Sequence, residues 1–192
     1  MPLANLRGLD DEARTLRRSL NRIVARSNAR LDIQRPGAEP LDLPAGTTWR
    51  WRPQLMAART SPRGIAAPEN GTRLAEEAAI WHDCPDRALI LRQMRNSRSA
   101  ELSPYGLLLE ILGFSGNFLS ISIDLPDAAL KGLTRSRIVR LASVISVERP
   151  MNIYARLNVG HGPNTDQLLR HLGDLQPGQT TSSVTVFDMY EL

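Results

Sequence analysis

A nucleophile, a base and a carboxylate stand side by side in Trp81-His82-Asp83-Cys84-Pro85. A thiol beside an imidazole is the starting point for covalent acyl chemistry, provided the base reaches the sulfur and donors await the oxyanion. On a strand, however, His82 and Cys84 share one face and Asp83 points to the other. Neighbours so placed cannot form a triad with each other, and nothing in the sequence supplies an oxyanion hole. The string therefore reads first as a buried cysteine, a polar strand end and a turn at Pro85. His82, His161 and His171 are the only histidines and Cys84 the only cysteine. Zinc asks for three or four ligands at recognisable spacing, and no such spacing occurs. Phosphate-loop and dinucleotide fingerprints are absent too. No metal and no cofactor is expected, and no catalytic residue is assigned.

Two groups of residues suit binding better than catalysis. Arg156-Leu157-Asn158-Val159-Gly160-His161-Gly162-Pro163-Asn164 is the densest polar cluster on a turn. Arg156 and Asn158 share a strand face and His161 and Asn164 lie at the tip, where they could hydrogen-bond a sugar or an anion. Trp49 and Trp51, two apart on one strand face, could join Tyr105 in an aromatic platform for sugar stacking. The candidate ligand-binding residues are thus Trp49, Trp51, Arg156, Asn158, His161 and Asn164.

These residues must be held by elements, and the elements are mostly strands. Trp49-Arg50-Trp51-Arg52 alternates as a short strand closed by Pro53. Residues 54–71, with Pro62, Gly64, Pro68 and Gly71, read as loop. Residues 78–84 and 88–94 read as a hairpin joined through Asp86 and Arg87. Residues 107–114 and 118–125 read as a second hairpin across Ser115-Gly116-Asn117. Residues 138–148, 153–159 and 184–190 complete the strand set. Between the last two, Asn164 as N-cap, Gln167 three residues on, and Leu168, Leu169 and Leu172 predict a short helix ended by Gly173. Turn density and strand spacing point to an antiparallel β-sandwich of jelly-roll or carbohydrate-binding-module type.

Ahead of this body lies a different object. Leu6, Leu9, Ala13, Leu16, Leu20, Ile23 and Ser27 recur at steps of three and four, the stripe of an amphipathic helix over residues 6–31. Asp10, Asp11 and Glu12 fall in its first turn and Arg26 and Arg30 in its last, matching the helix dipole. Pro36, Gly37, Pro40, Pro44 and Gly46 then break the chain. The organisation predicted is a basic helix over 1–35, a linker over 36–48 and a sandwich over 49–192. The stripe spans three heptads, and its expected uses are docking on the body, a homo-oligomer through the 6–31 helix, or contact with an anionic membrane surface.

Charge follows the same division. Residues 1–35 hold eight arginines against four acids, and the remainder balances to zero. A neutral body without a basic stripe excludes nucleic acid as the expected partner, although the chain carries a net charge of +4. No apolar run approaches the length of a transmembrane helix. The start, Met-Pro-Leu-Ala-Asn-Leu-Arg, has no secretory pattern. With one cysteine, these features predict a cytoplasmic, reducing location.

The segments Trp49-Arg50-Trp51-Arg52-Pro53, His82-Asp83-Cys84, Leu91-Arg92-Gln93, Phe118-Leu119-Ser120, Asp124-Leu125-Pro126 and Ala155-Arg156-Leu157-Asn158, with the turn His161-Gly162-Pro163-Asn164, resemble signatures of an uncharacterised alphaproteobacterial family. The resemblance spans about residues 9–190. It implies a domain of unknown function, with no established activity, cofactor or catalytic residue. It also implies a continuation of several tens of residues beyond a segment like Val186-Phe187-Asp188, and so one or two strands after Leu192.

The function expected is a non-catalytic binding or interaction module with a carbohydrate or protein ligand. One alternative is a hydrolase or metal-dependent enzyme using His82 and Cys84. Another is an assembly protein that oligomerises through its N-terminal helix.

Overall fold

The computed structural model describes residues 43–97 and 101–192, together with Glu12, Ala13, Thr15, Leu16, Ser19, Leu20 and Ile23. Those seven positions are helical and exposed; the remainder of the helix expected over 6–31 lies outside the described residues. The chain divides into two compact units, Met1–Leu125 and Pro126–Leu192.

Among the described residues from 43 to 125, the first unit holds a single turn of helix, α1 (Gln54–Ala57), and six strands: β1 (Gly64–Ala66), β2 (Thr72–Arg73), β3 (Ala78–His82), β4 (Leu89–Arg95), β5 (Tyr105–Ile111) and β6 (Leu119–Ile123). They form two antiparallel sheets of order β1-β4-β5 and β2-β3-β6. Ile80 of one sheet meets Leu89 and Leu91 of the other, with Leu74, Leu107, Leu109 and Leu119 packed around them. Each such side chain contributes about 1.5–3 kcal/mol by leaving water. This cluster joins the two sheets.

The two expected hairpins are not formed. β3 pairs with β6, from Ala78↔Ile123 to His82↔Leu119, and β4 pairs with β5, from Leu89↔Ile111 to Arg95↔Tyr105. Residues 83–88 and 112–118 instead carry the chain across from one sheet to the other. Alternation tells which face of a strand is buried, and that is equally satisfied by a strand beside its neighbour or opposite it across the core. Residues 49–53 form no strand. The stretch 54–71, expected to be loop, contains α1 and β1.

α1 is too short to stand alone, and side chains hold both its ends. Glu77 Oε1 accepts from Leu55 N at 2.8 Å. At the other end the buried Gln93 of β4 donates through Nε2 to Leu55 O and Ala58 O, both at 2.7 Å, and accepts from Thr60 N at 2.9 Å. The helix and the turn after it are thereby seated on the β1-β4-β5 sheet.

The second unit contains two antiparallel ribbons. β7 (Ile138–Ser146) pairs with β10 (Thr180–Asp188) along its whole length, and β8 (Tyr154–His161) pairs with β9 (Asn164–His171). The helix expected from Asn164 is in fact β9. Gly162, at φ +59°, and Pro163 make a two-residue turn that sets His161 opposite Asn164. Leu168 and Leu172 are buried and Leu169 is 56% exposed. A spacing of four fits a period of two as well as one of 3.6, so Leu168 and Leu172 could not discriminate; exposed Leu169 does. Arg170 fastens β9 to β10. Its Nε donates to Val186 O at 3.1 Å, its guanidinium lies 5.9 Å over the Phe187 ring, and it pairs with Glu191.

Candidate functional site

The string at the end of β3 binds three chain segments together. His82 is buried, and its Nε2 lies 3.1 Å from Pro68 O. A carbonyl oxygen only accepts, so Nε2 carries the proton there. Its Nδ1 is buried without a partner among the described residues, and its backbone N–H donates to Asn70 Oδ1 at 3.1 Å.

Asp83, pointing outward, receives the 112–118 crossover. Oδ1 accepts from Asn117 N at 2.7 Å and Phe118 N at 3.1 Å, and Oδ2 accepts from Asn117 Nδ2 at 2.8 Å. The Asn117 side chain first, then the Phe118 amide, hold this carboxyl below the usual aspartate range. Gly116 is required beside it: a Cβ there would fall 2.3 Å from Asp83 Oδ1 and 2.9 Å from Cys84 N.

Cys84 is buried, with Sγ 3.8 Å from Ser115 Oγ and 3.9 Å from Gly113 O. The Ser115 backbone pulls the thiol down from its ordinary value, against the opposing effect of burial. Ser115 Oγ in turn donates to Asp86 Oδ2 at 3.1 Å. The sulfur thus lies against the crossover's own carbonyl and hydroxyl. The polar groups of the string join the 68–70, 83–86 and 113–118 segments.

Trp49 and Trp51 lie near-parallel, at an interplanar angle of 16° with ring centroids 6.5 Å apart. Trp49 is 39% exposed and Trp51 half-buried. Arg52 donates to Leu102 O, and its guanidinium acidity is raised by burial first and by neighbouring Arg50 second. Tyr105 is buried and adds no open ring to this pair.

The β8–β9 hairpin divides the other candidates between its two faces. Arg156, opposite Leu169, and Asn158, opposite Gln167, lie on one face and are exposed. Tyr154 and His171 pair at the base of the same face, with rings 5.0 Å apart at 49°. His171 Nε2 lies 3.3 Å from Asn152 Oδ1. His161 and Asn164 fall on the opposite face, where His161 Nε2 meets Asp166 Oδ2 at 2.6 Å. The structure therefore joins Arg156 and Asn158 to Tyr154, Gln167 and His171, which sequence reasoning did not select. Reading 164–172 as a helix removed the partner strand and hid the cross-strand pair.

Among the described residues no group of three or more His, Cys, Asp and Glu side chains is placed to hold a metal ion. A cavity lined by Leu55, Pro62, Ile65, Leu74, Leu91 and Leu107 has a volume of about 10 Å³, room for one water. Also among the described residues, no helix is long and apolar enough to cross a membrane.

Strands paired throughout in antiparallel sheets and ribbons, with exposed aromatic and hydrogen-bonding side chains on them, define a mainly β protein. The chain belongs to the family of unknown function DUF6478, whose model matches residues 1–191. No curated protein and no solved structure matches it.

Proposed function

We propose that this chain is a non-catalytic binding module of β-sandwich type, in the broad manner of jelly-roll or carbohydrate-binding domains, with a carbohydrate as its ligand. The observation that carries the reading is the exposed β8–β9 face. It sets Arg156, Asn158 and Gln167 beside the Tyr154–His171 ring pair. A ring offers its flat apolar surface to the C–H face of a sugar, while the amide and guanidinium groups exchange hydrogen bonds with hydroxyls. Residues on a paired ribbon are set more accurately than residues on a loop. The His82-Asp83-Cys84 string supports the same reading, because Asp83 and Cys84 are engaged by the crossover and His82 Nε2 by Pro68 O.

A glycan array probed with the intact chain tests it. Retention of at least one glycan class is expected, with Tyr154→Ala and Arg156→Ala each weakening it by about tenfold. Retention of none, by a protein whose circular dichroism shows it folded, would overturn the reading and favour a protein ligand.

A second reading has its own observation. Leu16, Leu20 and Ile23 are 70%, 61% and 65% exposed at heptad-like spacing. Light scattering on the intact chain and on a chain starting at Pro36 tests assembly through the 6–31 helix: a dimer that becomes a monomer supports it, and monomers in both refute it.

A further inference from the structure

Trp81 occupies the middle of the β2-β3-β6 sheet, on the face away from Ile80, and is 42% exposed. An indole free to turn would shed that apolar surface; this one is held at both ends. Nε1–H donates to Ser122 Oγ on β6 at 2.9 Å. The opposite, benzo edge abuts Gly71, just ahead of β2, so closely that a Cβ at Gly71 would lie 3.2 Å from Cζ3 and 3.5 Å from Cη2. Gly71 has φ +79°, a conformation that suits glycine and leaves this approach open. The long axis of the ring therefore runs across the sheet from β6 towards β2, fixed before anything binds.

The surroundings on the sheet are polar. Ser120 is Trp81's register partner on β6, exposed, and its hydroxyl has no protein partner among the described residues. Arg73 stands one row along, opposite Ala79, and reaches on to Asp124 in the row beyond, where the two pair at 3.1 Å, both well exposed; Arg73 also donates to Glu76 O at 2.9 Å. A cation and an anion joined to each other supply donors and acceptors at no net charge. A pre-set aromatic plane, a free hydroxyl and a neutral donor–acceptor pair match the C–H face and the equatorial hydroxyls of a neutral sugar ring.

We infer that Trp81, with Ser120 and the Arg73–Asp124 pair, forms a stacking site for a neutral pyranose. The inference rests on the reading of the chain as a sugar-binding module but on residues other than those that carry that reading.

Titration calorimetry of the intact chain against laminarin, xyloglucan, arabinoxylan and galactomannan, with alginate as the anionic comparator, tests it. At least one neutral polymer is expected to bind. Binding is expected to weaken by about tenfold or more in Trp81→Ala and by about threefold in Trp81→Phe, which keeps a ring and loses the Ser122 bond. Circular dichroism establishes that each variant is folded, and the phenylalanine variant decides should the alanine one not fold. Neutral-polymer binding lost in Tyr154→Ala or Arg156→Ala but intact in both Trp81 variants overturns the Trp81 site while upholding the binding module. Binding of alginate alone overturns the neutral ligand. Binding of no polysaccharide by the folded chain overturns the Trp81 site, and the glycan array then judges the module reading separately.

Discussion

Replacing Gln93 by leucine asks whether one buried amide seats α1. In the native protein its Nε2 serves Leu55 O and Ala58 O at 2.7 Å, and its Oε1 accepts from Thr60 N at 2.9 Å. Leucine fills a similar volume and offers none of these bonds. Leu55 and Ala58 are buried, so their carbonyls gain no water in exchange. A buried polar group left unsatisfied costs about 1–3 kcal/mol, and half-buried Thr60 can recover part of its loss from solvent. Gln93→Leu is therefore expected to destabilise the first unit by about 2–5 kcal/mol. Gln93→Glu adds a sign. Its ionised carboxylate would face two carbonyl oxygens in a buried site, so its folded pKa would lie above the unfolded value. The variant would thus be relatively more stable below the ordinary glutamate range and lose stability as pH rises through the raised folded value. The three tryptophans, Trp49, Trp51 and Trp81, all lie in the first unit. Urea unfolding followed by tryptophan fluorescence therefore reads this unit alone. A Gln93→Leu midpoint within about 0.5 kcal/mol of the native value, at unchanged slope, would refute the account of how α1 is held.

Three further outcomes follow from the same unit. Leu91→Ala should cost about 2–5 kcal/mol in the same urea assay, since it empties the junction with Ile80 and Leu89; a loss under 1 kcal/mol would mean the two sheets do not depend on that cluster. Gly116→Ala should cost about 1–3 kcal/mol by forcing the crossover off Asp83, read as a lowered thermal midpoint, and an unchanged midpoint would deny the close approach. Asp83 has its folded pKa depressed, so its contribution is present above the ordinary aspartate range and fades as pH falls through the folded value. Thermal melts from pH 7 down to about pH 2 should show the native first unit losing stability at the acid end more steeply than Asp83→Asn; parallel curves would sink the clamp.

Seven strands, β3 to β8 and β10, were legible in this sequence, and the partners of β3 and β4 were not. The burial of Ala78, Ile80, Leu89 and Leu91 follows from alternation and apolar content. Whether β3 should lie beside β4 or across the core from it is decided by the 83–88 and 112–118 crossovers. Their key contacts run from Asp83 to Asn117 and Phe118, and no local pattern announces a bond between residues so far apart. β9 was misread for a plainer reason: Leu168 and Leu172 satisfy two periods at once. Trp49 and Trp51 were expected on one strand face; they come together as near-parallel rings without a strand. Trp81 drew notice only as a neighbour of His82 and Cys84, because its surroundings come from Gly71, Ser120 and Ser122 on other elements.

The crossovers also govern when the first unit can be completed on the ribosome. β3 leaves the exit tunnel early and sits at the centre of its sheet, yet the whole β4–β5 hairpin lies between Ala78 and its partner Ile123. That hairpin can close from local contacts as soon as Tyr105 meets Arg95. Until Leu119–Ile123 emerges, however, β3 presents Ala78-Ala79-Ile80-Trp81 with one bare flank, the kind of surface that draws neighbouring chains together. When β6 arrives, Asn117 and Phe118 reach Asp83 as its first residue, Leu119, pairs with His82. The carboxylate thus acts as a latch on the late-arriving strand. A chain lacking it would be most vulnerable during synthesis, in the interval between the appearance of β3 and that of β6.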